Sequence, residues 1–408
     1  MANNPPFITR VVLENYKSIV SCDVPLGPLV FLIGPNGSGK SNFLDALHFV
    51  SDALRLSVEE ALQVRGGLTD VLSRGNGPAD HVGVRLDVTL PDGAHGHYSF
   101  RIAIRPGGGF AVTEEECVVG TERDDQAPIF FKVRDGEFDT NGLLGVPSHL
   151  MRHSPHSLYL YHADDIDAGF GDVRDRLIAM GFFSISPRSL RRQTSIEPRR
   201  ALTSDGRTAP LVLAQAANRD DGTVERIEDY LRAIVPEVRD VHPKYLPDGA
   251  ILEFMLGIAE NAPERFLAPM VSDGALRAFG ILLALFGATD EYGRPLSLIG
   301  IEEPEIAIHP GATAVLLDAL REASTKKQIL VTSHSPDLLD NKDLTGDAIL
   351  AFASDRGLSR IGPLAEAAGS MLRDRLYTAG ELLRGNQAWP APALIQNGAR
   401  AGSQLFGE

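Results

Sequence analysis

Eight consecutive residues, Gly34-Pro35-Asn36-Gly37-Ser38-Gly39-Lys40-Ser41, have the composition and spacing of a loop that wraps phosphates. Glycine adopts positive φ cheaply, so the backbone of such a loop can turn its N–H groups inward toward an anion. Lys40 would bring a point charge to the β- and γ-phosphates, and Ser41 a hydroxyl suited to Mg²⁺. The loop follows an apolar run at residues 29–33 and opens a helix-like stretch at 42–54, beginning with Asn42, so the strand-loop-helix context is present on both sides. These residues point to a nucleoside-triphosphate site.

A second acidic element lies far along the chain, where the apolar run Leu298-Ile299-Gly300-Ile301 ends in Glu302-Glu303-Pro304-Glu305. Glu302 stands where an acid of the Mg²⁺ coordination sphere is needed, and Glu303 could polarise an attacking water as general base. Consecutive residues leaving a strand point to opposite sides, which suits two roles. A polar strand end with a helix-capping acid is the plainer alternative. Further on, the strand-like 329–332 runs into Ser333-His334-Ser335-Pro336, placing His334 at a strand's carboxyl end, where ligands of α/β sheets collect. Val271-Ser272-Asp273-Gly274 precedes an apolar helix and could form a second phosphate-binding turn, with Ser272 as hydroxyl donor and Gly274 allowing close backbone approach. A plain helix N-cap fits the same residues.

Composition narrows the classes. The chain has 408 residues, 43% of them apolar, and a formal net charge of −15. No apolar run reaches the roughly 18 to 20 residues that span a bilayer, and the first residues lack a basic region followed by an apolar one, so a cytoplasmic protein without membrane association is expected. Cys22 and Cys117 are too few for a disulfide framework and lack metal-ligand spacing. The acidic balance argues against nucleic-acid binding by the whole surface, so any such contact is local. One segment fits that demand: Arg188, Arg191, Arg192, Arg199 and Arg200 face a single acid, Glu197, and form either a phosphate-contacting patch or a solvated connector.

The elements that must position these residues follow from periodicity. Alternating runs at 7–13 and 16–24 lead to a buried strand at 30–33, and 82–134 carries short runs separated by Pro-Asp-Gly and Pro-Gly-Gly-Gly turns, predicting an antiparallel meander. Strands and helices alternate again after Pro269, predicting an α/β sheet covered by helices. The expected division is 1–146 and 270–387 for the two parts of one α/β head, 147–269 for an inserted mainly helical lobe, and 388–408 for a loosely held tail. No heptad pattern predicts a long coiled coil.

Together the motifs resemble those of ATP-binding-cassette ATPases of the SMC/RecF-like branch, including compact bacterial proteins related to RecF and to Septu- and OLD-type defence ATPases. Val11-Val12-Leu13-Glu14-Asn15-Tyr16-Lys17-Ser18 is similar to the branch's opening strand and "GFKS"-like turn, and Ser272-Asp273-Gly274-Ala275-Leu276-Arg277 to its "SDGTLR" signature. Glu302 to Glu305, His309-Pro310 and Thr332 to Pro336 are similar to its "IEEPE", "HP" and "THSP" elements. The resemblance implies a P-loop ATPase head with an antiparallel β subdomain and an inserted helical lobe, binding ATP and Mg²⁺. It makes Lys40 and Ser41 the phosphate and magnesium contacts, Glu302 the Walker B acid, Glu303 the catalytic base and His334 the switch histidine. Ser272 and Gly274 would cap a nucleotide held by another copy, giving a homodimer through ATP, and His309 takes the place of the D-loop aspartate. Gln63 is a candidate for the Q-loop. Glu302 in place of the usual Asp, and Asp273 in place of a signature glycine, depart from the pattern, and Asp273 brings a carboxylate whose repulsion toward phosphate must be offset. The implied role is an ATP-switched DNA transaction, in repair or antiphage defence, with DNA and a separate nuclease encoded nearby as partners. The alternative is a transporter's ATPase subunit.

Overall fold

The structure is a computed structural model, and it describes residues 6–75, 77, 79–120, 127–141, 155–165, 167–196, 201–257, 262–391 and 405–406. The chain forms two compact units, one of residues 1–178, 346–370 and 388–408, the other of residues 179–345 and 371–387.

In the first unit, β1 (Ile8–Tyr16), β2 (Ile19–Pro25), β4 (His81–Thr89), β5 (His95–Ile104), β6 (Phe110–Gly120), β7 (Ile129–Arg134) and β8 (Glu137–Thr140) form an antiparallel sheet in the order β2-β1-β4-β5-β6-β7-β8. The expected meander is therefore present, continuous with the opening hairpin. Separately, β3 (Leu29–Ile33) pairs in parallel with β15 (Ile349–Asp355), which pairs antiparallel with β16 (Leu358–Pro363). β3 is buried at four of its five positions, as its unbroken apolar run requires of a parallel strand. Helices α1 (Lys40–Arg55), α2 (Val58–Gln63), α3 (Leu68–Val71) and α4 (Ala168–Ile178) complete this unit.

α1 is gripped from two sides. Phe49 meets Tyr16 and Phe100 of the antiparallel sheet at ring-centroid distances of 6.0 and 6.3 Å, while Phe43 meets Phe352 of β15 edge-on at 5.8 Å. Each buried Phe is worth about 1.5–3 kcal/mol of apolar burial, so the helix and its N-terminal loop are held as one piece. Ion pairs anchor the outer flank: Arg65 Nε lies 2.9 Å from Asp45 and Arg65 Nη2 3.0 Å from Asp52, and Lys17 Nζ lies 2.5 Å from Asp45. Burial alone would raise the Asp45 carboxyl, yet Arg65 and the hydrogen bonds from Lys17 and Tyr16 hold it below its ordinary value.

The C-terminal stretch differs from the loose tail that its composition suggests. Ala365 N donates to Trp389 O at 2.9 Å and Ala391 N to Pro363 O at 2.7 Å, and Leu405 and Phe406 are buried with Val12. Those two apolar residues pack with Val12 of β1, and Arg101 lies against the Phe406 ring at 5.2 Å. Low-complexity flanks hid this anchor.

In the second unit, β13 (Leu298–Glu302) lies between β9 (Met180–Phe183) and β14 (Gln328–Ser333), parallel to both. A three-stranded antiparallel sheet consists of β10 (Val238–Leu246), β11 (Gly249–Leu256) and β12 (Glu264–Leu267). The helices are α5 (Pro187–Leu190), α6 (Ala209–Arg219), α7 (Thr223–Ile234), α8 (Asp273–Leu282), α9 (Thr313–Ser324), α10 (Pro336–Leu339) and α12 (Ala379–Arg384), with α11 (Glu366–Arg373) where the chain passes from one unit to the other. Of the stretch expected as an inserted helical lobe, residues 155–178 belong to the first unit and 179–257 to the second, where they include strands β9 to β11 as well as helices. β9 is four residues long, too short to show a period, and Pro243 interrupts the alternation of β10. Among the described residues the longest helix, α1, has 16 residues, and no helix is long and apolar enough to cross a membrane.

Candidate nucleotide site

The phosphate loop lies in the first unit, between β3 and α1. Lys40 and Ser41 are the first residues of α1, two residues earlier than the apolar pattern alone suggests, so the loop closes directly on a helix N-terminus. Pro35, Asn36, Gly37 and Ser41 are exposed, whereas Gly34, Ser38 and Lys40 are buried. Lys40 Nζ donates to the carbonyls of Gly34 at 2.7 Å and Pro35 at 3.0 Å, which curls the loop around the ammonium group. Gly39 is required twice: its φ is +101°, and a Cβ there would stand 2.0 Å from Ser359 Oγ. Asn42 Nδ2 donates to Ser18 Oγ at 2.7 Å, and Ser18 and Ser359 share a hydrogen bond of 2.7 Å. The opening Lys17-Ser18 turn thus braces the start of α1. Ser359, on β16, is a supporting residue that no motif in the sequence announces.

The fit of this loop to a nucleotide and Mg²⁺ rests on its donors. An exposed turn runs into the ammonium of Lys40 and the hydroxyl of Ser41, and the buried Ser38 hydroxyl has no partner among the described residues. These groups suit an anion with a hard cation beside it.

In the second unit, Glu302 is the last residue of β13, and Glu303 leaves the sheet with φ +44°. The two carboxylates diverge through this left-handed residue as well as through the strand's pleat. Its unusual backbone is over-determined: Glu303 N donates to Thr332 O at 3.0 Å and Thr332 Oγ1 at 3.1 Å, and Arg277 Nη2 donates to Glu303 O at 3.0 Å. Arg277 also reaches Glu302 O at 3.4 Å and Ile185 O at 3.0 Å, so its guanidinium pins the end of β13 to α8. Burial lowers the Arg277 pKa, a cost offset by the nearby carboxylates of Glu305 and Glu303. His334, just past β14, has Nδ1 3.2 Å from Glu303 Oε1. The adjacent parallel strands β13 and β14 therefore bring together the acid and the histidine that the sequence singled out. Glu305 is buried, its Oε1 accepting from Ser333 Oγ at 2.7 Å, and burial pushes its carboxyl above the ordinary range. Arg277 and Glu305 were visible within motifs, yet their supporting parts depend on carbonyls for Arg277 and on the Ser333 hydroxyl for Glu305, which no sequence pattern displays.

The signature turn opens α8. Ser272 is exposed and its Oγ accepts from Ala275 N at 3.4 Å, so within this chain it is an ordinary N-cap. Gly274 is needed for close approach, because a Cβ there would lie 2.5 Å from the Ala307 carbonyl oxygen. Asp273 is paired with Arg191 at 2.5 Å, and Arg191 also donates to Val271 O at 2.8 Å. Arg191 thus has a partner inside the fold instead of standing free in the suspected arginine patch. Arg188 and Arg192 are exposed, while Glu197, Arg199 and Arg200 lie outside the described residues. His309 is exposed and caps the turn that follows, its Nδ1 accepting from Gly311 N at 3.0 Å. Gln63, at the end of α2, bonds Glu59 one turn back at 3.3 Å.

A glycine-rich loop feeding α1, a glutamate pair closing a parallel strand, a histidine on the next strand and an antiparallel subdomain define an ATP-binding-cassette P-loop ATPase head of the SMC/RecF-like kind. The chain belongs to the family described as "AAA domain, putative AbiEii toxin, Type IV TA system", whose model matches residues 29–97 and 145–340. It is 22% identical over 351 residues to the OLD nuclease of Thermus scotoductus, covering 82% of this chain and 60% of that protein. It is 30% identical over 130 residues to the chromosome partition protein Smc of Aquifex aeolicus, which is 31% of this chain and 10% of that protein. A 44-residue match, 41% identical, links it to the DNA replication and repair protein RecF of Vibrio vulnificus, over 10% of this chain and 12% of that protein. The chain thus spans less than two thirds of each of these relatives. Its fold is that of a solved Smc head bound to the C-winged helix domain of ScpA, with a TM-score of 0.54, 14% identity and coverage of 89% of this chain and 99% of that one. A Smc head domain from Pyrococcus furiosus gives a TM-score of 0.52 at 14% identity, covering 90% and 99%. The transporter alternative finds no support among these relatives.

Proposed function

We propose that this chain binds and hydrolyses ATP with Mg²⁺, that two copies associate around the nucleotide, and that the cycle serves a DNA transaction with a separate nuclease as partner. Lys40 would hold the β/γ-phosphates, with the N–H groups of the loop and of the α1 N-terminus around them, and Ser41 and Glu302 would hold the metal. When bound, Mg²⁺ neutralises the charge that develops on the transferring phosphoryl group. Glu303 takes the proton of the attacking water, and His334 orients that carboxylate and offers a ring N–H toward the γ-phosphate. Ser272 and Gly274 of one copy cap the nucleotide held by the other. This arrangement converts ligand binding into association, since a ligand that binds the paired state better stabilises the pair.

The observation that carries the proposal is the 3.2 Å contact between His334 Nδ1 and Glu303 Oε1 at the ends of two parallel strands. Each group alone is common at a strand end. Their contact, following a Walker B-like strand in a chain with a complete phosphate loop, is what a hydrolytic centre needs. The DNA role draws on the relatives, whose names are chromosome partition, DNA replication and repair, and nuclease. The test is Glu303→Gln in the purified protein with saturating Mg-ATP. Phosphate release falls about 10²-fold or more, and the nucleotide-bound species moves to twice the monomer mass in light scattering. A variant that turns over normally, or stays monomeric, sinks the base and dimer assignments respectively.

A further inference from the structure

The signature turn of this protein carries an acid, Asp273, directly beside the serine that the proposed function aims at a phosphate. A carboxylate there repels the ligand unless a cation offsets it. The cation that meets it is Arg191. It follows α5, some eighty residues earlier in the chain, and its guanidinium reaches both neighbours of Ser272: Nη2 lies 2.5 Å from Asp273 Oδ1 and 2.8 Å from Val271 O. The contact therefore straddles the serine.

Resting on the reading that Ser272 caps a nucleotide held by the partner, we propose that Arg191 is a positioning residue for the signature turn. It cancels the Asp273 charge and ties that side chain to the Val271 carbonyl across Ser272, so that the turn meets an anionic phosphate in one orientation. The pair is two-thirds open to water on the acid's side, with 61% of the Asp273 side chain and 31% of that of Arg191 exposed. A pair of that exposure contributes little to folding, typically under about 1 kcal/mol. Its consequence lies elsewhere. Removing the guanidinium leaves a lone carboxylate close to where three phosphates must arrive, and charge repulsion acts on ligand-driven association even where it barely touches stability. Both contacts come from the one Nη2 amino group, which bonds a carbonyl and a carboxylate at once.

The experiment uses the full chain carrying Glu303→Gln, so that nucleotide-driven pairing is read without turnover. Dimer formation is followed by light scattering against Mg-ATP concentration, with a thermal melt of every variant. Arg191→Ala raises the half-maximal ATP concentration roughly tenfold, with a melting temperature close to that of the parent. Arg191→Lys loses only part of this. The decisive variant is Arg191→Ala combined with Asp273→Asn: removing the stranded charge moves the titration back toward the parent. A merely structural role would instead lower the melting temperature and would not be relieved by the second substitution. Arg191→Ala titrating like the parent, or the double variant remaining as weak as the single one, overturns the inference while leaving the ATP dimer intact. A parent that stays monomeric at saturating Mg-ATP removes the dimer reading itself, and this inference with it.

Discussion

α1 and α8 both begin at a turn that the proposed function aims at phosphate, yet their N-termini are built in opposite ways. α8 has a serine N-cap in extended conformation whose Oγ accepts from Ala275 N, with an acid, Asp273, in its first turn. Both features satisfy a helix end from within the chain. α1 has a glycine N-cap in left-handed conformation, no side-chain cap and no acid in its first turn, and its first residue is a lysine. Nothing in its own sequence answers the positive end of the dipole. Under the proposed function an anion would do so instead. The difference shows that a phosphate loop is a helix start from which the ordinary capping chemistry has been removed, whereas a signature turn keeps that chemistry and exposes it. On the inference drawn above, Arg191 is what would let the second kind retain its acid.

The largest effect that can break this contrast is at Lys40. Lys40→Ala removes the only side-chain charge in the loop, and ATP affinity falls at least tens of times, following the roughly 1.5–3 kcal/mol of a charge-assisted hydrogen bond. Titration with a fluorescent ATP analogue measures this, and unchanged affinity would mean that α1 is not the anion-binding terminus. A middle-sized effect separates the two roles of Ser272. Ser272→Ala costs about 0.5–2 kcal/mol as a lost cap, whereas Ser272→Asp keeps a capping oxygen and retains stability. If the turn also meets phosphate in trans, Ser272→Asp nonetheless abolishes ATP-dependent pairing. Pairing that survives in Ser272→Asp would leave α8 with its cap alone.

The smallest effect concerns the support beneath the catalytic strand. Burial holds the Glu305 carboxyl above its ordinary value. The folded state therefore favours the protonated acid, and the stability this brings is full below the unfolded pKa of about 4.3. It fades as pH climbs through the raised folded value. Glu305→Gln keeps a neutral group at this position and flattens that decline, so melting temperatures of variant and parent diverge as pH rises from 5 to 8. Parallel profiles would show that Glu305 is ionised throughout. Glu115 offers a comparison within the other unit: burial raises it to about 7 although Tyr98, Tyr159 and Leu160 all donate to it.

Strand periods and motif spacing carried most of the fold into view. The opening hairpin, the meander, β3, α1, β13 and β14 lie within a few residues of where alternation and apolar runs place them. The misses share a cause. β9 is a short strand whose place is set by pairing with β13, and the buried pair Leu405 and Phe406 sits among small and polar residues, so neither projects a pattern along the chain. Among the candidate residues, Lys40, Glu303 and His334 could be singled out because the expected chemistry demands those residue types. Ser359, Thr332 and the carbonyl-binding part of Arg277 were not, because support of that kind uses backbone atoms and hydroxyls that any sequence contains.

By itself, the sequence determined the chemical inventory: which loop can turn its N–H groups inward, which strand ends in two acids, and which histidine follows. It also announced the difficulty at Asp273. Only the tertiary structure decided how that difficulty is met, and why Glu303 turns where it does. Both answers come from residues distant along the chain, Arg191 reaching Asp273 and Thr332 holding Glu303, and a short-range pattern contains no information about which distant donor will arrive. Hydrogen bonds and ion pairs act over a few ångströms of space, so their partners are chosen by packing and not by spacing in sequence.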